Sequence, residues 1–215
     1  MQSIMKQLTD ISDIKQLLED CLKEFANKDF DLIGLGRERA ISCKLAMIMH
    51  DIVVHSYDIG KMSVDAEYDR YLNQDKEIKV RAEQCLKCTN EKLCCKRYID
   101  TLGQNITRLR IRPDIIFHGR KEENNNCFVI EVKLLRTEQL RKRVYRAYKY
   151  DYAKLAFMTC GRHLNTKNNM WFRYKLGIHL TFHQSGVLVL YFKNAKIVET
   201  KKYTWDKLKE YDNEM

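Results

Sequence analysis

Charges set inside runs of residues that otherwise belong in a core constrain this chain most. Arg112-Pro113-Asp114-Ile115-Ile116-Phe117 and Cys127-Phe128-Val129-Ile130-Glu131-Val132-Lys133 each read as a buried strand, short, β-branched and aromatic. The polar stretch from Gly119 to Asn126 reads as the hairpin loop between them. Pro113 is the only proline in 215 residues. It suits the first position of a strand, where its missing N–H costs no ladder bond. Asp114, Glu131 and Lys133 interrupt these runs, and charges are rarely buried without a partner or a metal. Side chains alternate across a strand, so Glu131 and Lys133 share one face, about 6.6 Å apart along it. Hairpin pairing brings Asp114 to that same face.

Two carboxylates converging beside an ammonium suit a hard divalent cation. Mg²⁺ takes one or two carboxylates, keeps several waters and completes its shell with substrate phosphate oxygens. A neighbouring lysine steadies the negative charge that develops during attack on phosphorus. The competing interpretation is a plain ion pair between Lys133 and either carboxylate at a wet strand end. A Pro-Asp, sixteen intervening residues and a Glu-x-Lys, all on predicted strands, favour the catalytic one.

Pro113-Asp114 followed by Glu131-Val132-Lys133 resembles the motif of the PD-(D/E)xK nuclease superfamily, the restriction-endonuclease-like fold, over roughly residues 33 to 193. The resemblance implies an α/β domain with a mixed central sheet flanked by helices, in αβββαβ order, with the motif on the second and third strands. It implies Mg²⁺- or Mn²⁺-dependent hydrolysis of phosphodiester bonds. Asp114, Glu131 and the backbone carbonyl of Val132 are then the metal ligands, Glu38 on the first core helix completes the shell, and Lys133 orients the attacking water. DNA is implied ahead of RNA as substrate. A small nuclease with no motor or recognition domain leans toward an effector in genome defence or a mobile element.

Composition bounds the rest. Lys and Arg number 39 against 29 Asp and Glu, a net charge of +10, and such an excess concentrates polyanions, nucleic acid first among them. No run of 18 apolar residues and no signal-like N-terminus is evident, so a soluble, cytoplasmic protein without a membrane partner is expected. The eight cysteines are then expected to be reduced rather than a disulfide scaffold.

Residues 3 to 27 carry Ile4, Leu8, Ile11, Ile14, Leu18, Cys21, Leu22 and Phe25 at helical spacing, with a break expected near Asp10-Ile11-Ser12-Asp13. This amphipathic helix either packs on the domain or docks a protein partner or a second copy of the chain. A second helix is expected from Arg37 to about Val53, where Glu38 either serves the metal site or simply sits well in the first turn of a helix. Met62 to Tyr71 alternates as a half-buried strand, with Asp65, Glu67 and Asp69 on one face.

Residues 72 to 105 form a charged insertion holding Cys85-x2-Cys88-x5-Cys94-Cys95. A Cys-x2-Cys pair is a common half of a structural zinc centre. The adjacent Cys94 and Cys95 fit one ion poorly, so three alternatives stand: Zn²⁺ held by three cysteines and a histidine, an iron–sulfur cluster, or reduced thiols in a loop.

Arg136 to Met158 reads as a long helix with Leu140, Val144, Ala147, Leu155 and Phe157 toward the sheet. Arg136, Arg141, Lys142, Arg143, Arg146 and Lys149 then form an outward stripe suited to phosphates, with tyrosines at 145, 148, 150 and 152 able to stack on bases. The plainer alternative is a solvated helix face with snorkelling stems. Lys154 either joins the phosphate contacts or reaches back to the motif. Gly177–Phe182 and Val187–Phe192 read as a closing hairpin, on which His179 is a strand-face residue, and Tyr203 to Tyr211 as a terminal helix.

The expected layout is therefore an amphipathic segment over residues 1–30, a nuclease-like domain over 31–200 with the insertion at 72–105, and a C-terminal helix over 201–215. Two rivals remain: a non-cleaving nucleic-acid-binding or assembly subunit of a larger defence or repair complex, and a zinc-dependent interaction module in which the motif charges are only ion pairs.

Overall fold

Strand alternation sorts the interior into two layers. The computed structural model describes residues 6–8, 10–58, 60, 62–66, 70–71, 74–75, 77–79, 108–110, 112–119, 126–135, 141–160 and 173–209. Of these, 6–7, 70–71, 74–75, 77–79, 108–110 and 141–147 are described by backbone alone. In chain order the elements are β1 (Lys6–Gln7), α1 (Ile11–Lys28), α2 (Asp31–Leu35), α3 (Glu38–Ser56), β2 (Tyr57–Asp58), β3 (Met62–Ala66), β4 (Arg70–Tyr71), β5 (Gln74–Asp75) and β6 (Glu77–Lys79). They continue as β7 (Arg108–Arg110), β8 (Ile115–Gly119), β9 (Asn126–Leu134), α4 (Arg141–Cys160), β10 (Leu176–His183), β11 (Gly186–Lys193), β12 (Lys196–Thr204) and α5 (Trp205–Lys209).

Six strands form a mixed sheet in the order β12-β11-β10-β9-β8-β3. All neighbours are antiparallel except β9 and β10, which run parallel. Parallel neighbours need a crossover, and α4 lies on the connection between these two. From α3 to β10, setting aside β2 and the two-stranded pairs β4–β5 and β6–β7, the chain runs helix, three strands, helix, strand.

One sheet face presents Ile115, Phe117, Phe128, Ile130, Val132, Ile178, Leu180 and Phe182 to a core shared with α1, α3 and α5. The other presents Ile116, Val129 and Phe192 to Ala153, Leu155, Ala156, Phe157 and Met158 of α4. Each such fully buried side chain contributes about 1.5–3 kcal/mol, so both layers are firmly held. The period of two then forces Glu131 and Lys133 onto the α4 face. The β9–β10 register sets His179 beside Glu131 and Thr181 beside Lys133.

Several elements differ from expectation. The first helix begins at Ile11 rather than residue 3, at the expected break, and Lys6 and Gln7 instead pair in parallel with Tyr57 and Asp58. Its apolar stripe, Ile14, Leu17, Leu18, Cys21, Leu22 and Phe25, is no more than 1% exposed. The helix packs into the core, and its apolar face is not offered to a partner. The strand expected over 62–71 is described from Met62 to Ala66, and Arg70–Tyr71 pair with Gln74–Asp75. The helix expected from Arg136 is described from Arg141, and the terminal helix is Trp205–Lys209. An unexpected strand, β12, closes the sheet. Its turn, Asn194-Ala195, has φ of 50° and 64°, the positive-φ pair of a tight hairpin that normally advertises itself with glycine. Cys85, Cys88, Cys94, Cys95 and Arg136 lie outside the described residues, as do the side chains of Arg141, Lys142, Arg143 and Arg146. Among the described residues, no helix is long and apolar enough to cross a membrane.

Gly177 sets how closely α4 approaches the sheet. A Cβ there would lie 3.0 Å from Thr159 Cγ2, 3.2 Å from Phe192 Cβ and 3.4 Å from Leu155 Cβ. Gly177→Val is expected to cost about 1–3 kcal/mol by overpacking, read as a lowered midpoint in urea, whereas an unchanged midpoint would mean that the helix yields freely at this point.

Candidate active site

Four elements deliver six charged side chains to one pocket between the sheet and α4. Glu38 is the first residue of α3, Asp114 immediately precedes β8, Glu131 and Lys133 stand on β9, and Asp151 and Lys154 lie on α4. The β8–β9 hairpin places Ile115 opposite Ile130, so Asp114 and Glu131 come next to each other at the start of one strand and toward the end of the other. Asp114 accepts a 2.6 Å hydrogen bond at Oδ2 from the Val132 N–H. Glu38 accepts from Lys133 Nζ at 2.9 Å and from the Leu134 N–H at 3.1 Å, one bond to each carboxylate oxygen.

The α4 residues complete the cluster. Lys154 Nζ donates to Glu131 Oε2 at 2.5 Å and pairs with Asp151 Oδ1 at 3.0 Å. Lys133 Nζ lies 3.3 Å from Asp151 Oδ2, within ion-pair range but without hydrogen-bond alignment, since that oxygen is buried with no hydrogen-bond partner. Among the described side chains, four carboxylates thus face two ammoniums, an excess of two negative charges when all are ionised. Glu131 is 1% exposed and Lys154 7%, so little of this charge is screened by water.

Burial dominates the electrostatics. It raises the Asp114 carboxyl to about 6 against the help of the Val132 N–H, Lys133 and Lys154. Burial likewise pushes Glu131 well above the carboxylate range, with Lys154 opposing and the Asp114 and Asp151 charges adding to the rise. For the two lysines burial acts the other way, but it is outweighed. Asp151 and Glu38 hold Lys133 above the ordinary lysine value, and Glu131 and Asp151 do the same for Lys154. The site therefore stabilises positive charge and resists negative charge, the electrostatic profile of a place short of a cation.

That profile, together with the chemistry of the donors, decides whether a hard divalent ion fits. Glu131 Oε1 is buried with no hydrogen-bond partner, so the desolvation of that oxygen is not offset by a hydrogen bond. All the donors are oxygens, the set that Mg²⁺ and Mn²⁺ prefer. The residues fit the ion. Among the described residues, no three acidic, histidine or cysteine side chains are already gathered into a cage, and Glu38 reaches the cluster through Lys133.

His179 stands on the same face. Burial lowers its pKa to about 4, so the ring is neutral. Tyr148 and Tyr152 meet it edge-on at 5.3 and 4.8 Å, Thr181 Oγ1 lies 3.3 Å from Nδ1, and Nε2 is buried without a partner. Asp65, expected on the polar face of its strand, pairs with the buried His118 at 2.9 Å.

Of the residues singled out from sequence, Asp114, Glu131, Lys133 and Glu38 are brought together. Lys154 takes the alternative of reaching back, buried against Glu131 rather than lying among outward cations. Asp151 was missed. It is the single acid in a 20-residue helix carrying six Lys and Arg, one turn before Lys154, and that isolation was its signal.

A carboxyl whose folded pKa is raised stabilises the fold below that pKa and loses this contribution as pH rises toward it. Asp114→Asn keeps an oxygen for the Val132 N–H while removing the charge. It is expected to stabilise the protein by about 1–3 kcal/mol at pH 8 and to flatten the stability profile between about pH 4 and 6, as read by thermal melts across that range; a destabilised variant would contradict the electrostatics above. Comparison with protein-family models, with curated proteins and with solved structures gives no match.

Proposed function

We propose that the protein is a metal-dependent nuclease that hydrolyses phosphodiester bonds, with DNA as its substrate. The observation that carries this is the convergence of Asp114, Glu131 and Lys133 at adjacent strand ends, with an excess of carboxylates over ammoniums among the described side chains and a buried oxygen on Glu131 that has no hydrogen-bond partner. The element order from α3 to β10, with the motif on the second and third strands, supports a restriction-endonuclease-like core.

When bound, Mg²⁺ or Mn²⁺ supplies Lewis-acid activation of the phosphodiester and of water. Asp114 and Glu131 would hold the ion with the Val132 carbonyl, and the Val132 N–H fixes the Asp114 carboxylate in place. Lys133 orients the attacking water and stabilises charge at phosphorus as it builds. Glu38 aims Lys133 by accepting from its Nζ, and the Leu134 N–H in turn anchors Glu38. The net charge of +10 draws a polyanion to the protein. A role as an effector in genome defence fits a small nuclease of this kind. Of the two docking elements that a non-cleaving assembly subunit would use, the apolar stripe of α1 is buried in the core, and the cysteine insertion lies outside the described residues.

Purified protein incubated with plasmid, linear duplex and single strands is expected to cut in Mg²⁺ or Mn²⁺ and not in EDTA. Asp114→Ala, Glu131→Ala and Lys133→Ala should each lower the rate by at least about a hundredfold while leaving the circular dichroism spectrum unchanged. A Lys133→Ala protein cutting as fast as wild type would remove the assignment.

A further inference from the structure

The two oxygens of Glu131 are treated oppositely. Oε2 holds the Lys154 ammonium at 2.5 Å, whereas Oε1 is buried without a partner. Lys154 is also held from its own helix, by Asp151 Oδ1 at 3.0 Å, so its ammonium is shared by two carboxylates and keeps one if it leaves the other. A buried carboxylate with no counter-cation would weaken the fold severely, and a monovalent ammonium meets that need only in part. The lysine head rides on a flexible four-carbon stem, and Asp151 gives it a second place to rest. Asp151 in turn also lies 3.3 Å from Lys133, so movement of Lys154 alters the charge around the residue assigned to the attacking water.

We propose that Lys154 is an exchangeable counter-cation: its ammonium compensates Glu131 in the metal-free protein, and an arriving divalent cation displaces it from Glu131 onto Asp151. This rests on the nuclease assignment in one respect, that Glu131 is a metal ligand. The exchange leaves Glu131 with a cationic partner in both states. It also sets the metal concentration at which the site fills, since the ion must compete with a tethered cation. Lys154 and Asp151 are thus positioning residues that act through Glu131 and Lys133.

Mn²⁺ binding, read from the electron paramagnetic resonance signal of the free ion, separates the possibilities. The set is wild type, Glu131→Gln, Lys154→Met and Lys154→Gln, the last retaining an N–H donor for Glu131 should the methionine variant fail to fold. The expected result is that Glu131→Gln loses the site, while both Lys154 variants bind Mn²⁺ at least about tenfold more tightly than wild type. Lys154→Met should also melt below wild type in EDTA and recover in saturating Mn²⁺. If Glu131→Gln loses the site but the Lys154 variants bind equally or more weakly, the exchange is overturned and the metal site stands. If wild type binds no Mn²⁺, or Glu131→Gln binds it unchanged, the metal-site assignment falls and the exchange with it.

Discussion

The contact between Glu131 and Lys154 is the one on which the rest of this structure turns. It joins the middle of the sheet to the helix that covers it, inside a layer otherwise built from Val129, Ile116, Phe157 and Leu155. Breaking such a pair by removing one partner typically costs about 3–5 kcal/mol, yet replacing both with well-packed apolar groups is often neutral or better. A buried ion pair is therefore a poor way to make a sheet stable. Its presence at the meeting point of three further charges, Asp114, Lys133 and Asp151, is what the proposed metal site would need.

The fold supplies the precision that such chemistry needs. Backbone N–H groups of Val132 and Leu134, fixed in β9, hold Asp114 and Glu38 respectively. The strand thus carries Glu131 and Lys133 and also anchors both of the carboxylates that reach it from neighbouring elements. Gly177 on β10 lets Thr159 and Leu155 come close, which brings Asp151 and Lys154, earlier on the same helix, down onto the sheet. A site held by strand hydrogen bonds and a tightly seated helix is far more rigid than one built on loops.

The hairpin carrying the motif was legible because its residues break the rule of their surroundings. Asp114, Glu131 and Lys133 are charges within apolar, β-branched runs, and the period of two was enough to put the last two on one face. The order of helices and strands around them followed from ordinary periodicity. What escaped did so for physical reasons. The β12 strand alternates only between half-buried and exposed positions, and its turn has no glycine, so neither of the usual hairpin signals is present. Asp151 was hidden by its setting in a helix rich in cations, and for Lys154 the sequence left open whether it meets a phosphate or reaches back to the motif. Only the packing of α4 on the sheet reveals that these two face inward. The apolar stripe of α1 was plain in the sequence, but periodicity alone does not say whether such a stripe covers its own core or a partner.

The most direct measurement is the anomalous scattering of Mn²⁺ in a crystal of the protein soaked in that ion. A single strong peak bonded to Glu131 Oε1 and to an oxygen of Asp114 is the predicted result, because these atoms carry the uncompensated charge of the site. A crystal with no peak in this pocket at millimolar Mn²⁺, or with the ion held only by residues elsewhere, would contradict the claim that the charged cluster between the sheet and α4 is a metal site.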